Sequence, residues 1–571
     1  MRWILSEPCD SIDLFDDMSP VASQLLANRM DGLDLKNISS FFDPKLSSLY
    51  SPDQIKNMKK ATDRIVDAVK KNEKIAIHGD YDADGITSTY ILYKTLEAVG
   101  ANVTYKLPNR SLDGYGVSSR FVEECIENPC LVVTVDCGVS EYKKIQKLKS
   151  AGIDVIVTDH HKVGSKGIPD GVYTVVDPHQ EDETCPFISY AGVGVSFMLC
   201  WSICKAMPEN IGDLKAHLKS LIPYVAIGTI ADVMPLKGEN RTLVSVGLKM
   251  MQNGEIENGV KNLIDISGLS LESITAKDIG FMVAPRINSA GRMADPSVSL
   301  DCFLSGNRMV AAKLNGLNEQ RKEISQSLSD EAVDIIESNT KIKEAPILVV
   351  AGKEWHSGVI GIVAGRIAEL YGKPSIVFSI ADGKARGSGR SVQDFNLYAA
   401  VSCAVDLLNS FGGHAQALGV SLDESKIDEF RDRLSSLFEE SDGEEPSLVA
   451  YRDGPPLTID CEVNLSIITP ELMREIDRLG PFGEGNPEPV LAVKNVSILD
   501  YRSIGKDKNH LSLTVIQDGC SLRGVAFNAT NLIELLDEGN SKMDVAFTPI
   551  WNTFNGRTSL EMRIKDMKIP D

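Results

Sequence analysis

The stretch IAIHGDYDADG, residues 75–85, restricts what this chain can fold into more than any other segment. The apolar run Ile75-Ala76-Ile77 leads directly into His78 and three aspartates, Asp80, Asp82 and Asp84. The run has the composition of a strand buried on both faces. Carboxylates placed so close together repel one another, and burial penalises their charged forms. A chain that sets them at the end of a buried strand must bring positive charge to them.

The pattern recurs. VVTVDCG delivers Asp136 after a second apolar run, and VIVTDHH delivers Asp159, His160 and His161 after a third. A helical stretch, AIGTIADVMPL, ends near Asp232. In an open α/β sheet, ligands bind beyond the carboxyl ends of the strands, so these segments converge on one crevice. A single Asp after a strand is usually a cap or turn residue. Asp80 suits that role by itself, and His179 in VVDPH reads as a turn residue. Capping does not account for the same coincidence at four element ends. Asp and His donors together suit Mn²⁺ or Mg²⁺, and the absence of Cys among them speaks against structural zinc. There are more carboxylates than one ion needs. Two ions about 3.5–4 Å apart, sharing one Asp, would use them and bring the cluster close to neutrality. Such a pair suits in-line displacement at phosphorus.

At 571 residues the chain has room for three or four domains of about 100–200 residues. Residues 1–73 read as an irregular extension followed by an amphipathic helix carrying Ile55, Met58, Ala61, Ile65 and Val69. Strands and helices then alternate over 74–304, the pattern of an α/β domain with a mostly parallel sheet. Residues 305–344 read as a long connecting helix, and 345–440 as a second α/β unit with the glycine-rich segments GSGRS and FGGHA. The acidic run EESDGEEPS, 439–447, reads as a linker. Residues 448–571 are β-rich and suit a small OB-like barrel. The eleven cysteines form no CxxC pair and read as small buried hydrophobes of a reducing cytosol. There is no apolar run of membrane-spanning length, and the start does not read as a signal peptide. A net charge of −21 limits what the general field contributes to binding nucleic acid. A local basic groove or bound dications reverse the sign at one site.

The order HGDYDADG, VTVDCG, TDHH, GTIADVMPL resembles the motif series of the DHH phosphoesterase superfamily. FMVAPRINSAGRM (281–293), WHSGVIGIVAGRIAELYGKPSIVF (355–378), GSGRS (387–391), FGGHAQALG (411–419) and GPFGEGNPEP (480–489) narrow the resemblance to the RecJ family. It covers about residues 40–570. It implies a single-stranded-DNA-specific 5′→3′ exonuclease that releases 5′-mononucleotides in DNA repair and recombination, with two divalent ions, Mn²⁺ or Mg²⁺. Carried over residue by residue, His78 and Asp82 hold one ion, Asp84 the other, and Asp136 lies between them. His160 and Asp232 complete the set, and His161 stands at the scissile phosphate as the catalytic group. Asp80 or Asp159 orients a ligand histidine.

The DHH-associated domain would grip the strand. Ser388, Arg390, Gly412, Gly413 and His414, with Arg286, Asn288 and Arg292, are the implied contacts to the 5′-phosphate and terminal nucleotides. Read independently, GSGRS offers exposed backbone N–H groups and two phosphate donors. His356 either caps its turn or meets substrate. Where the RecJ-like pattern after GGH reads A-x-A-A-G, this chain has Ala417-Leu418-Gly419, a packing variant. The resemblance further implies a cytoplasmic monomer acting with a single-strand-binding protein and a helicase. Two rival readings stand beside it. One is a DHH phosphodiesterase for short oligonucleotides or cyclic dinucleotides, a class that lacks the terminal β-domain. The other is a non-catalytic scaffold of a replication assembly, a role that goes with damaged metal motifs.

Overall fold

The structure, a computed structural model, describes residues 2–8, 18–30, 35–110, 114, 116–164, 166–392, 395–436, 456–506, 508–554 and 557–570. The acidic linker expected at 439–447 lies outside them. The described residues fall into two units, Lys45–Arg452 and the joined segments Met1–Pro44 and Asp453–Asp571.

The larger unit opens with helix α1 (Met58–Lys70), whose Met58, Ala61 and Ile65 are buried. Next come β1 (Ile75–Gly79), α2 (Ala83–Ala98), β2 (Val103–Lys106), α3 (Ser119–Glu127) and β3 (Leu131–Val135). They are followed by α4 (Tyr142–Ser150), β4 (Val155–Thr158) and β5 (Thr174–Val176). The five strands form a wholly parallel sheet in the order β2-β1-β3-β4-β5. Every residue of β1, β3, β4 and β5 is buried, which explains why these segments show no polar alternation. Successive side chains point to opposite faces. Ile75, Ile77 and Val133 join the core beneath α2, and Ala76 and Val132 pack with Phe121 and Ile145 on the other side. The strand order reverses between β1 and β3. In sheets of this order the crevice lies at that switch point, beyond the carboxyl ends.

Helices α5 (Gly192–Ala206), α6 (Leu214–Ala231) and α7 (Gly238–Gln252) extend this core. Helix α8 (Ala284–Met293) then packs on α9 (Arg308–Glu337), a helix of 30 residues. At about 1.5 Å per residue α9 is long enough to connect two domains, and its distal part packs on α10 (Ile360–Tyr371) of the second α/β unit. Around α10 lie β6 (Leu348–Lys353), β7 (Ser375–Ala381), β8 (Lys384–Arg390), helix α11 (Leu397–Ser402), β9 (Leu408–Gly413) and β10 (Ala417–Asp423). This sheet has the order β9-β10-β8-β7-β6, and only β6–β7 is parallel.

The reading that GSGRS exposes its backbone N–H groups is corrected here. Gly387, Ser388, Gly389 and Arg390 belong to β8, paired on one side with β7 and on the other with β10. Its glycines serve packing instead: a Cβ at Gly387 would lie 2.6 Å from the Phe378 ring. Leu418, the departure from the family pattern, is 3% exposed within this unit's core.

In the smaller unit, strands Leu491–Ile504, His510–Gln517, Cys520–Ala526, Arg557–Lys568 and Lys542–Phe554 pair in succession, and the last pairs back with the first. This is a closed five-stranded barrel, as an OB fold requires. The expected extension over 1–73 divides. Trp3–Leu5 pairs in parallel with Leu457–Ile459. The helix Pro20–Ala27 buries Val21, Leu25 and Leu26 among Leu472, Met473 and Ile476. The Arg29 Nη1 to Asp460 Oδ1 ion pair, 3.0 Å, lies in the same unit. Among the described residues no helix is long and apolar enough to cross a membrane.

Candidate active site

The acidic cluster is assembled by element ends. Asp82 is the N-cap of α2, its Oδ1 accepting the amides of Asp84 and Gly85 at 3.1 Å each. Asp84, in the first turn of α2, reaches the N-terminus of α5. Its two oxygens accept the amides of Gly192 at 2.7 Å and Val193 at 2.8 Å, where orphan N–H groups and the helix dipole favour an anion. Asp136 follows β3 in the left-handed region at φ 57°, a conformation that Asp tolerates better than most residues. Gly192 makes room for it: a Cβ there would lie 2.5 Å from the Asp136 carboxylate. Asp232 caps the end of α6.

Histidines complete the cluster. Asp159 is buried, and its Oδ1 accepts the His160 amide at 2.8 Å and lies 2.7 Å from Nδ1 of His161. Its Oδ2 accepts the Val139 amide at 2.9 Å. His160 Nε2 stands 3.2 Å from Asp136 Oδ1, 3.6 Å from Asp232 Oδ2 and 3.9 Å from Asp84 Oδ2. Candidate ligand atoms gather, within 4.8 Å of one another, as Asp136–His160–His161, as Asp84–His160–Asp232 and as Asp80–Asp82–Asp136. Asp136 and His160 each belong to two of these groups.

The chemistry of the donor set fits divalent cations. Asp80 Oδ1, Asp136 Oδ1 and His160 Nε2 are buried and make no hydrogen bond, an arrangement that costs free energy unless something else satisfies them. Burial, reinforced by neighbouring carboxylates, drives Asp80, Asp84 and Asp136 well above the usual carboxylate range. Burial and the Asp82 charge push Asp232 up to about 7. Burial, followed by the charge of His161, pulls His160 down to about 4, which keeps its ring neutral as a ligand must be. Against burial, the hydrogen bond and charge of Asp159 raise His161 to about 9.

His78, expected among the ligands, makes other contacts from within its strand. That residue still lies within β1; its Nε2 accepts the Ser118 amide at 3.1 Å, and its ring packs on Phe121 with centroids 4.8 Å apart. Asp80, the first residue past the strand, groups with Asp82 and Asp136. Of the two residues proposed to orient a histidine, Asp159 makes the contact.

A second cluster lies at the junction of α8, α9 and β8. Arg292 donates Nη1 to the Gly358 carbonyl at 3.1 Å. Burial pulls it down to about 10, helped by the charges of Arg110, Arg321 and Arg390. Arg390 Nη1 donates to Ser388 Oγ at 3.1 Å, and both pack on Gly361 of α10. Such a gathering of guanidinium groups, each raising the cost of its neighbours' charge, favours a bound anion.

The other expected contacts have these partners within the chain. Arg286 is buried and donates to Asn315 Oδ1 at 2.9 Å and to the Met282 carbonyl at 2.5 Å. Asn288 Oδ1 accepts the Ala83 amide at 2.7 Å, so it holds the start of α2. His356 caps its own turn, Nδ1 accepting the Gly358 amide at 3.1 Å. Gly412 and Gly413 end the edge strand β9, and the exposed His414 follows with its amide on the Ala417 carbonyl at 2.8 Å. Three residues were missed. Arg110 lies over the Tyr81 ring at 5.4 Å, and with Arg321 it shares the electrostatic field of Arg292. Arg110 closely follows β2, so the strand-end rule that found the aspartates also points to it.

Comparisons with known proteins agree with this geometry. Residues 74–229 match the DHH family N-terminal domain, 344–440 the DHHA1 domain and 459–566 the RecJ OB domain. The single-stranded-DNA-specific exonuclease RecJ of Salmonella typhimurium is 33% identical, with 98% of each chain covered. That of Bacillus subtilis is 34% identical over 100% of this chain and 71% of its own. The crystal structure of RecJ in complex with Mn²⁺ from Thermus thermophilus superposes with a TM-score of 0.82 at 28% identity, covering 100% of this chain and 80% of that one. Full-length identity, the three domains in order and the shared fold point the same way: the chain belongs to the RecJ family of single-stranded-DNA-specific exonucleases.

Proposed function

We infer that the chain is a metal-dependent exodeoxyribonuclease that shortens single-stranded DNA from its 5′ end, releasing 5′-mononucleotides, and that it serves DNA repair and recombination. The observation that carries this reading is the pair of neighbouring clusters. One consists of carboxylates and neutral His160 at the switch point of the parallel sheet; the other consists of arginines around Ser388. RecJ of Thermus thermophilus has been crystallised with Mn²⁺ and with Mg²⁺, and the same ions suit the oxygen and imidazole donors here. Asp80, Asp82, Asp84, Asp136, His160 and Asp232 would hold them. When bound, such ions polarise the phosphoryl oxygens and lower the pKa of an attacking water.

The chain's own groups do the rest. Arg292, Arg390, Arg110 and Ser388 hold the terminal phosphate by charge-assisted hydrogen bonds and fix the first linkage over the carboxylates. His161, steadied through Nδ1 by Asp159, presents its other edge to the scissile phosphate as hydrogen-bond donor. Tyr81, beneath Arg110, offers a ring for a terminal base. The barrel supplies a further surface for the unpaired strand.

The test uses a 5′-phosphorylated single-stranded oligonucleotide labelled at its 3′ end, with Mn²⁺, with Mg²⁺ or with EDTA. A metal-dependent ladder shortening from the 5′ end, with duplex spared, is expected. Immediate release of the labelled mononucleotide would overturn the polarity. Absence of cleavage with either ion would overturn the activity.

A further inference from the structure

Helix α6 ends at the acidic cluster with a residue that comparable helices of this chain avoid. Past the cap Asp232, the Val233 amide donates to the Ile230 carbonyl at 3.1 Å and the Met234 amide to the Thr229 carbonyl at 3.2 Å. The same pair of bonds closes α1, α2, α4 and α7. It requires a left-handed residue directly after the cap, a place that favours glycine or asparagine because a Cβ there crowds the backbone. Elsewhere the chain complies: Asn72 follows α1 at φ 53°, Gly100 follows α2 at 83°, Gly152 follows α4 at 75° and Gly254 follows α7 at 74°. After α6 stands Val233, at φ 56°. Among the described residues, every other non-glycine residue at positive φ is Asn, Asp, Glu or Lys. A β-branched side chain suits this conformation least.

The core makes no use of the side chain that is strained. Val233 is 65% exposed, so packing does not account for it. Strain of this kind gathers at functional sites, and the residue before Val233 belongs to one. Asp232 Oδ2 stands 3.6 Å from His160 Nε2, in the candidate ligand group that includes Asp84. A second apolar side chain is left uncovered at the same end of α6. The turn Ile279–Val283 packs there, where a Cβ on Gly280 would lie 3.5 Å from Ile230, and its Phe281 is 78% exposed. Apolar groups beside a phosphate site do not serve the phosphate. The apolar parts of a nucleotide strand are the carbons of its deoxyribose and the faces of its bases, and the sugar is the part joined directly to the phosphate.

We propose that Val233 is a substrate-contact residue: its isopropyl group packs against the deoxyribose beside the scissile phosphate, and the left-handed backbone is retained, to the detriment of stability, because it presents that group. This rests on the exonuclease reading given above. Glycine in this place would relax the helix end and leave the sugar without its contact. Asp232 is held by its own amide, which donates to the Gly228 carbonyl at 2.9 Å, so Val233 acts on the strand and not on the ions. A contact made equally before and during reaction alters KM and leaves kcat in place.

The experiment compares Val233→Gly, Val233→Asn and Val233→Ile in the full chain. Gly and Asn suit the left-handed place, so both metal-free variants should denature at a temperature about 2 °C higher than the wild type. Ile, β-branched and apolar, keeps both the strain and the contact. With Mn²⁺ and a 5′-phosphorylated single-stranded oligonucleotide, the Gly and Asn variants should show KM raised several-fold at similar kcat, and Ile should keep the wild-type KM. An unraised denaturation temperature in both Gly and Asn variants overturns the strain, and a wild-type KM in Val233→Gly overturns the contact. Calorimetric Mn²⁺ affinity should be the same in all four chains; weaker Mn²⁺ binding by Val233→Gly would make Val233 a support of Asp232 and overturn its role at the sugar. Failure of the wild-type chain to cleave the single strand with Mn²⁺ would instead remove the exonuclease reading, and the thermal result would still decide whether the end of α6 is strained.

Discussion

Asp136 carries the greatest burden of any single residue here. It is shared by two candidate ligand groups, is buried, and holds a left-handed backbone. Asp136→Asn keeps that backbone accessible while removing the charge, because Asn tolerates positive φ. It should lose about 10³-fold or more in kcat with unchanged far-ultraviolet circular dichroism, since several kcal/mol of transition-state stabilisation pass through the shared ligand. Near-wild-type turnover by a folded variant would remove Asp136 from the site. Asp159→Asn tests the neighbouring contact. Without the carboxylate, the His161 ring loses the partner that raises and orients it. We expect kcat to fall about 10²-fold while KM moves little; a change confined to KM would place His161 in binding. Arg390 belongs to the other cluster. Arg390→Ala should weaken binding of a 5′-phosphorylated strand. It should also flatten the slope of log K against log salt by about 0.7, the share of one phosphate contact on a single strand. Equal losses on 5′-hydroxyl substrate would show that Arg390 does not read the 5′ end.

At the level of elements, the site is a meeting of ends: β1 into α2, the exit of β3, the exit of β4, the end of α6 and the start of α5. The last has no charged residue of its own in the cluster and was not legible as part of it. Its contribution is two backbone amides on Asp84 and the missing side chain of Gly192. Gly192→Ala would place a methyl group 2.5 Å from the Asp136 carboxylate. Overpacking of this kind costs about 1–3 kcal/mol. Mn²⁺ affinity, measured by calorimetry, should fall by about tenfold, since 1.4 kcal/mol corresponds to one decade; unchanged affinity would show that α5 yields without disturbing the ligands. The strand β8 teaches the converse lesson. GSGRS has the composition of a loop because glycine and serine usually punctuate structure. Here the glycines admit Phe378 and Leu397 against a central strand, a demand set by residues remote in the chain.

Over the whole molecule, charge balance and chain pairing decide behaviour. Within a chain of net charge −21, Asp80, Asp82, Asp84, Asp136 and Asp232 gather at one crevice, so Mn²⁺ should stabilise the folded chain. At a concentration 100 times Kd the gain is about 2.7 kcal/mol. Thermal denaturation should therefore shift upward with Mn²⁺ and revert with EDTA; no shift would contradict metal binding by the native state. The smaller unit makes a second demand. Val21, Leu25 and Leu26 are buried by residues more than 400 positions away. A chain ending at residue 436 should thus aggregate unless residues 1–44 are removed with the barrel, as light scattering of the two truncations would reveal. Equal solubility would show that this helix finds other cover. The sequence by itself determined the strand-end aspartates and histidines, the alternation of strands and helices, and the barrel-like C-terminus. In each case the information is local: a buried strand must be apolar throughout, and the polar residues that follow it mark its carboxyl end. Only the tertiary structure decided that His78 turns to Ser118 while Asp80 enters the cluster, that Arg286 and Asn288 brace the scaffold while Arg110 and Arg321 join Arg292, and that the first 44 residues belong with the last. Those outcomes depend on which side chains meet across long stretches of chain, and neither hydrophobic periodicity nor motif spacing encodes that choice.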